Sequence, residues 1–138
     1  MARSRKLKAA PKRLLLDSGA VIGLSRGGAR ARAYLARALE LGIPIEVPVA
    51  VVAETLRGRP DDAPVHRVLK AVDAIPATTE RMGRTAGELL GRHASSATVD
   101  ALVVAQAIEA GGAHILTGDR EDLERLASRA PTVHIQPL

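Results

Sequence analysis

The 138-residue chain contains no cysteine, no phenylalanine and no tryptophan, and Tyr34 is its only large aromatic. Without cysteine there can be no disulfide, no thiolate nucleophile and no cysteine-ligated zinc, which fits a reducing cytoplasm. Without aromatic platforms, base stacking is a poor mode of nucleic-acid binding. Any nucleic acid would be held by charge, backbone amides or metal. No run approaches the ~18 uninterrupted apolar residues of a membrane span. The basic start MARSRKLKAAPKR leads straight into a strand-like run and not into a signal-peptide core. A cytoplasmic protein with no membrane association is expected.

What is present suffices for one domain, since 46% hydrophobic content over this length can build a single core. The net charge of +5 is unevenly spread. Arg3, Arg5, Lys6, Lys8, Lys12 and Arg13 open the chain with no acid among them, whereas residues 14–138 hold 14 basic and 15 acidic side chains. Residues 1–12 therefore read as a flexible basic tail and residues 13–138 as a single domain. The tail is either a solubilising extension or an arm for polyanions, drawn by phosphate charge and weakened by salt.

Apolar runs alternate with helical patterns along the domain. RLLLD reads as a buried strand. A helical stretch follows from VIGL to ELG, interrupted near Gly27-Gly28 and closed by Gly42. IPIEVP is a short strand, and VAVVAETLRG a helix ending before Pro60. DDAPVHRVLKAVD and TERMGRTAGELLGRH are further helices, with a short strand at AIPAT between them. TVDALVVAQAIEAGG is a long helix, AHILTG a strand, DREDLERLAS a helix and TVHIQ a last strand. Strands separated by helices predict an α/β fold with a mainly parallel sheet.

Ligands of such sheets collect at the carboxyl ends of strands, where helices begin. Asp17 ends the first strand, and Asp119 ends an equally apolar one. Taken singly, each reads as a helix cap, and Asp122, three residues after Asp119, completes a capping-box spacing. Asp100 resists that reading. At about 3.6 residues per turn it projects from the stripe of Val103, Val104, Ala107 and Ile108. A buried carboxylate needs a cation, a metal or a proton. Glu54 raises the same question on a helix that is apolar nearly all round, where it is expected to point inward. Arg57 is the obvious local basic partner, and it can reach only one of these acids. Four carboxylates from four segments would repel one another, and a hard divalent cation relieves that repulsion. All-oxygen ligands suit Mg²⁺ or Mn²⁺ rather than zinc. Such ions activate water and stabilise charge on a phosphoryl group.

The segments LLLDSGAVIGL, VPVAVVAETLRG and TVDALVVAQAIEAGGAHILTGDREDLERLA, in that order, resemble a PIN domain. Within that superfamily the chain is most similar to the bacterial VapC-type toxin ribonucleases, over residues 13–136. The resemblance implies a PIN-like α/β sandwich, a central mainly parallel sheet flanked by helices. It places a catalytic, metal-holding quartet on Asp17, Glu54, Asp100 and Asp119, with Thr117 and Asp122 as accessory residues. The implied activity is Mg²⁺- or Mn²⁺-dependent endonucleolytic cleavage of RNA, restrained by a cognate antitoxin, with homodimers common. One departure is visible: Gly19 stands where the family often carries a serine.

Two alternatives stay open, an RNA-processing PIN nuclease without an antitoxin and a non-catalytic binding or regulatory module. A P-loop, a nucleophile elbow and an aspartyl-phosphatase motif are unsupported. His66, His93, His114 and His134 are scattered without metal-ligand spacing. Arg26, Arg30 and Arg37 share one helical arc, which reads as a solvated face or as a track for RNA or an acidic antitoxin segment. Arg57 and Arg59, just past Glu54, are candidate substrate-binding residues.

Overall fold

In the computed structural model, which describes residues 12–138, Leu14–Leu16 form β1, with all three leucines buried. Successive residues of a strand point to opposite faces, so a strand buried throughout is covered on both. β1 lies inside a four-stranded, wholly parallel sheet of order β2-β1-β3-β4, with β2 at Ile45–Glu46, β3 at Ala113–Thr117 and β4 at Val133–Pro137. The basic tail read from the sequence falls, but for Lys12, outside the described residues.

Among the described residues, seven α-helices carry the chain between strands: α1 (Ser18–Ser25), α2 (Ala29–Glu40), α3 (Val49–Thr55), α4 (Ala63–Ala71), α5 (Glu80–Arg92), α6 (Thr98–Glu109) and α7 (Glu121–Leu126). The α/β sandwich with a parallel sheet flanked by helices is therefore as expected. The break between α1 and α2 falls where the glycine pair stands, and Gly27 has φ +71°, a conformation that costs other residues a steric penalty. α6 is the most deeply set helix. Ala101 and Val103 through Ala107 are all buried, and it packs against α5, α7, α3 and the sheet. Gln106, a polar residue opposite Asp100, is buried with them.

Two expectations need correction. AIPAT is no strand; pairing there shrinks to one parallel bridge between Ala74 and Glu46. Pro76 has no N–H to extend it. The helix expected through Gly58 stops at Thr55, because Leu56 is extended (φ −105°, ψ 145°) and Gly58 takes φ +74°. At the other end of the sheet, Glu46 is buried and receives Arg13 at 2.8 Å, an ion pair tying the start of β1 to β2.

Candidate active site

The parallel register pairs Leu16 with Leu116, so the next residues of each strand, Asp17 and Thr117, emerge side by side. The Asp17 N–H donates to Leu116 O at 2.9 Å and continues the ladder. Thr117 is fully buried, and its hydroxyl donates to Asp17 Oδ2 at 2.9 Å while accepting the Asp119 N–H at 3.0 Å. A second acceptor, Asp119 O, lies at 3.1 Å, but the charged carboxylate is the stronger partner. Asp17 occupies the N-cap position of α1 yet makes no capping hydrogen bond with its side chain. Its Oδ1 is buried and has no hydrogen-bond partner among the described residues. Burial pushes the Asp17 carboxyl above its ordinary pKa, with Asp119 adding to the push; the nearby Ser18 N–H and the Thr117 hydroxyl oppose it.

Asp100, on the first turn of α6, is half-buried, with neighbours Ala101, Val103, Val104 and Ala107 fully enclosed. Its pKa is pushed up to about 6, first by burial and then by the charges of Asp17, Asp122, Glu54 and Asp119. That set of repelling neighbours brings together the acids singled out in the sequence. Glu54 does not point inward as expected. It is exposed at the end of α3, whose buried side is carried by Val51 and Thr55, one turn apart. Asp119 is exposed as well, and the capping box is absent. α7 begins only at Glu121, with Arg120 as its N-cap, so Asp119 lies too early to cap it. Asp122 pairs instead with Arg125 at 2.8 Å.

Among the described residues, none of Asp17, Glu54, Asp100 and Asp119 forms an ion pair. Arg57, the local candidate, turns away and donates from Nη1 to Leu56 O at 2.8 Å and Ala53 O at 3.1 Å, serving the free carbonyls at the end of α3. No three His, Cys, Asp or Glu side chains among the described residues are gathered tightly enough to hold a metal ion as they stand. The acids thus meet at the range of charge repulsion and not at ligand range. Their chemistry fits a hard divalent cation: every donor is oxygen, and the unclaimed Asp17 Oδ1 is a buried acceptor lacking a donor.

Gly19 explains itself here. A Cβ at that position would lie 2.8 Å from Gly118 N and 3.0 Å from Gly118 Cα. The first turn of α1 and the bend after β3 touch backbone to backbone, which holds Asp17 and Asp119 close. A serine would not fit without moving one of them.

One residue passed over in the sequence shapes the rim. Asp62 Oδ2 accepts three consecutive amides, from Arg57 at 2.8 Å, Gly58 at 2.7 Å and Arg59 at 3.2 Å. The Arg57 N–H foremost, then those of Arg59 and Gly58, hold its carboxyl below the usual range against the effect of burial, with His66 contributing. The readable signal was an aspartate three residues beyond Arg59, across a Gly-x-Pro turn.

No curated protein matches the chain significantly by sequence. Its backbone is similar to that of VapBC2 from Rickettsia felis bound to a promoter DNA fragment, with TM-score 0.72 and 14% identity over 91% of this chain and 98% of that one. DNA-bound VapBC from Salmonella typhimurium gives 0.70 and 13% over 91% and 97%. A toxin–antitoxin complex from Klebsiella pneumoniae gives 0.65 and 20% over 87% and 94%. At these identities the likeness is one of fold. The sequence model of the PIN domain, however, matches residues 14–128, most of the chain and both acid-bearing strand ends, and the protein therefore belongs to the PIN-domain family.

Proposed function

We propose that this chain is a Mg²⁺- or Mn²⁺-dependent endoribonuclease, the toxin half of a toxin–antitoxin pair that acts in the cytoplasm. The observation that carries the reading is the convergence on Asp100. Charges from three other segments raise its pKa, and among the described residues only Asp122 of these acids is met by a basic side chain, Arg125. Unrelieved repulsion in a half-buried site costs stability, and a site evolved for folding alone would supply a cation or an amide.

When bound, the divalent ion would neutralise these carboxylates, make water a better nucleophile and stabilise charge on the phosphoryl group. Asp17, Asp100 and Asp119 are the residues we assign to hold it. Thr117 fixes the Asp17 carboxylate and leaves Oδ1 free for that task. Glu54, exposed at the rim, either joins them or orients the attacking water. Asp122 adds negative charge next to Asp100, and its pairing with Arg125 moderates that charge.

The antitoxin part of the proposal draws on the similar structures, one of which is a toxin–antitoxin complex. It is supported by an apolar groove of about 340 Å³ between α1, α2 and α4, lined by Leu24, Leu35, Leu39 and Val68, where Leu39 is 68% exposed. Such a groove suits an amphipathic helical segment. The test is cleavage of total RNA by the purified chain with and without Mg²⁺, mapped by end sequencing, alongside Asp17→Asn and Asp100→Asn. Metal-dependent ends that vanish in both variants are expected. Equal cleavage by either variant would overturn the site assignment. Harmless overexpression with intact nuclease activity would favour RNA processing without an antitoxin.

A further inference from the structure

α1, α3, α4 and the Leu56–Asp62 loop border a pocket of about 350 Å³ lined by Arg26, Arg57 and Arg59 together with Ser25, Thr55 and Asp62. Arg26 and Arg59 form no ion pair among the described residues, and both are exposed. Asp62 is the enclosed carboxylate of this pocket, and its Oδ2 is already saturated by three backbone amides. Asp61, at the mouth, is exposed to solvent. The pocket thus keeps an excess of guanidinium donors, the groups whose planar fork matches a phosphate.

From these observations we infer that the Arg26–Arg57–Arg59 pocket binds a backbone phosphate of single-stranded RNA other than the one being cleaved, and that Asp62 is the positioning residue that presents its loop. The inference rests on the ribonuclease reading. Its geometry follows from two shared elements. Asp17 occupies the N-cap of α1, and the helix reaches the pocket between Ile22 and its C-cap Arg26, a rise of about 8–14 Å from Asp17. On α3, Glu54 stands with the acids and the next residue, Thr55, lines the pocket. A strand laid from one to the other would place successive phosphates over a negative site that takes metal and a positive one that needs none. Asp62 acts as an internal anion in the nest of amides at Arg57, Gly58 and Arg59. It folds the loop back so that neighbouring arginines share one pocket, while Gly58 supplies the positive φ of the turn.

The experiment is binding of a fluorescein-labelled single-stranded oligouridine to the full chain in EDTA, read by anisotropy against log salt. No cleavage is required, so the outcome stands whether or not the nuclease reading survives. Arg26→Ala/Arg59→Ala is expected to raise Kd about tenfold at low salt and to flatten the slope by about 0.7 for each phosphate no longer neutralised. Arg26→Lys/Arg59→Lys is expected to keep the slope. Asp62→Asn should weaken binding in the wild-type background and add nothing once both arginines are gone, a coupling that a purely structural residue would not show. Unchanged affinity and slope in the alanine pair, or an equal loss in the lysine pair, would overturn the proposal. So would intact RNA binding combined with loss of a co-expressed protein partner, which would assign the pocket to that partner.

Discussion

The Thr117 hydroxyl reaches Asp17 Oδ2 at 2.9 Å across 100 residues of sequence. Parallel pairing of β1 with β3 makes this contact, because the two residues leave adjacent strands at the same level. The Thr117 hydroxyl oxygen in turn accepts the Asp119 N–H, so one buried hydroxyl joins two acid-bearing strand ends. It stabilises the charged form of Asp17 against burial and leaves its other oxygen free. A hydroxyl two residues before the last aspartate is therefore part of how the acids are held.

Thr117→Val keeps the shape and deletes the hydrogen bond. Leaving a buried carboxylate oxygen without its donor should cost about 1–3 kcal/mol, seen as a lower Tm. The Asp17 pKa should climb further, because the hydroxyl is one of the groups restraining it. Thr117→Ser should keep most of both. Thermal melts and a carboxyl NMR titration check this, and an unchanged Asp17 titration in the valine variant would refute it.

Asp100 makes metal-free stability depend on pH. Its pKa is about 6 in the folded chain against an ordinary 3.8, so between those values the folded state holds more protons than the unfolded one. Stability must then fall as pH rises through that window and stay low above it. If the acids hold Mg²⁺ as proposed, only the folded, deprotonated site would bind it, so its thermal stabilisation should be largest above pH 6 and fade below. Asp100→Asn should raise the metal-free Tm at pH 8 by about 4 °C for each 1 kcal/mol of repulsion relieved and lose most of the Mg²⁺ response. An equal Mg²⁺ shift at pH 5 and pH 8 would count against the metal site.

Much of this was legible in the sequence, for identifiable reasons. Leu14–Leu16 before Asp17, and the inward stripe of α6 around Asp100, are period-based signals, and periodicity survives folding because it reports which face is buried. The outward turn of Glu54 was not legible. A seven-residue helix has too few turns to define a face, and the loop beyond it is set by Asp62, a contact between backbone and a later side chain. The missing capping box at Asp119 has a similar cause: Thr117 claims the Asp119 amide, and α7 starts later than spacing suggests. Gly19 read as a departure, but its reason, the backbone of Gly118 far along the chain, exists only in three dimensions.

Truncating the basic tail would separate capture from chemistry. Removing residues 1–11 deletes Arg3, Arg5, Lys6 and Lys8 and leaves the acids untouched. If the tail touches RNA, the apparent KM should rise, and the salt slope of binding should fall by at most about 0.7 for each phosphate the tail had neutralised. The rate at saturating RNA should hold, because such interactions bind ground and transition states alike. Identical slopes for full-length and truncated protein would make the tail a bystander.

The close approach of Gly19 and Gly118 predicts an asymmetry that a generic glycine effect would not. At Gly19 a new Cβ would meet Gly118 N at 2.8 Å and Gly118 Cα at 3.0 Å, and both are backbone atoms that cannot swing aside. Gly19→Ala must therefore push α1 away from the bend after β3, at a cost of about 1–3 kcal/mol for overpacking. At Gly118 the new Cβ would meet only Gly19 Cα, at an ordinary 3.6 Å. Gly118→Ala should then leave Tm nearly unchanged. The displacement in the first variant would also part Asp17 from Asp119, so its Mg²⁺ response should weaken more than its stability alone accounts for. Melting both variants with and without Mg²⁺ decides the matter. If Gly118→Ala is as damaging as Gly19→Ala, the close approach is not what fixes these glycines, and the spacing of the two acids must be set by the Thr117 hydrogen bonds alone.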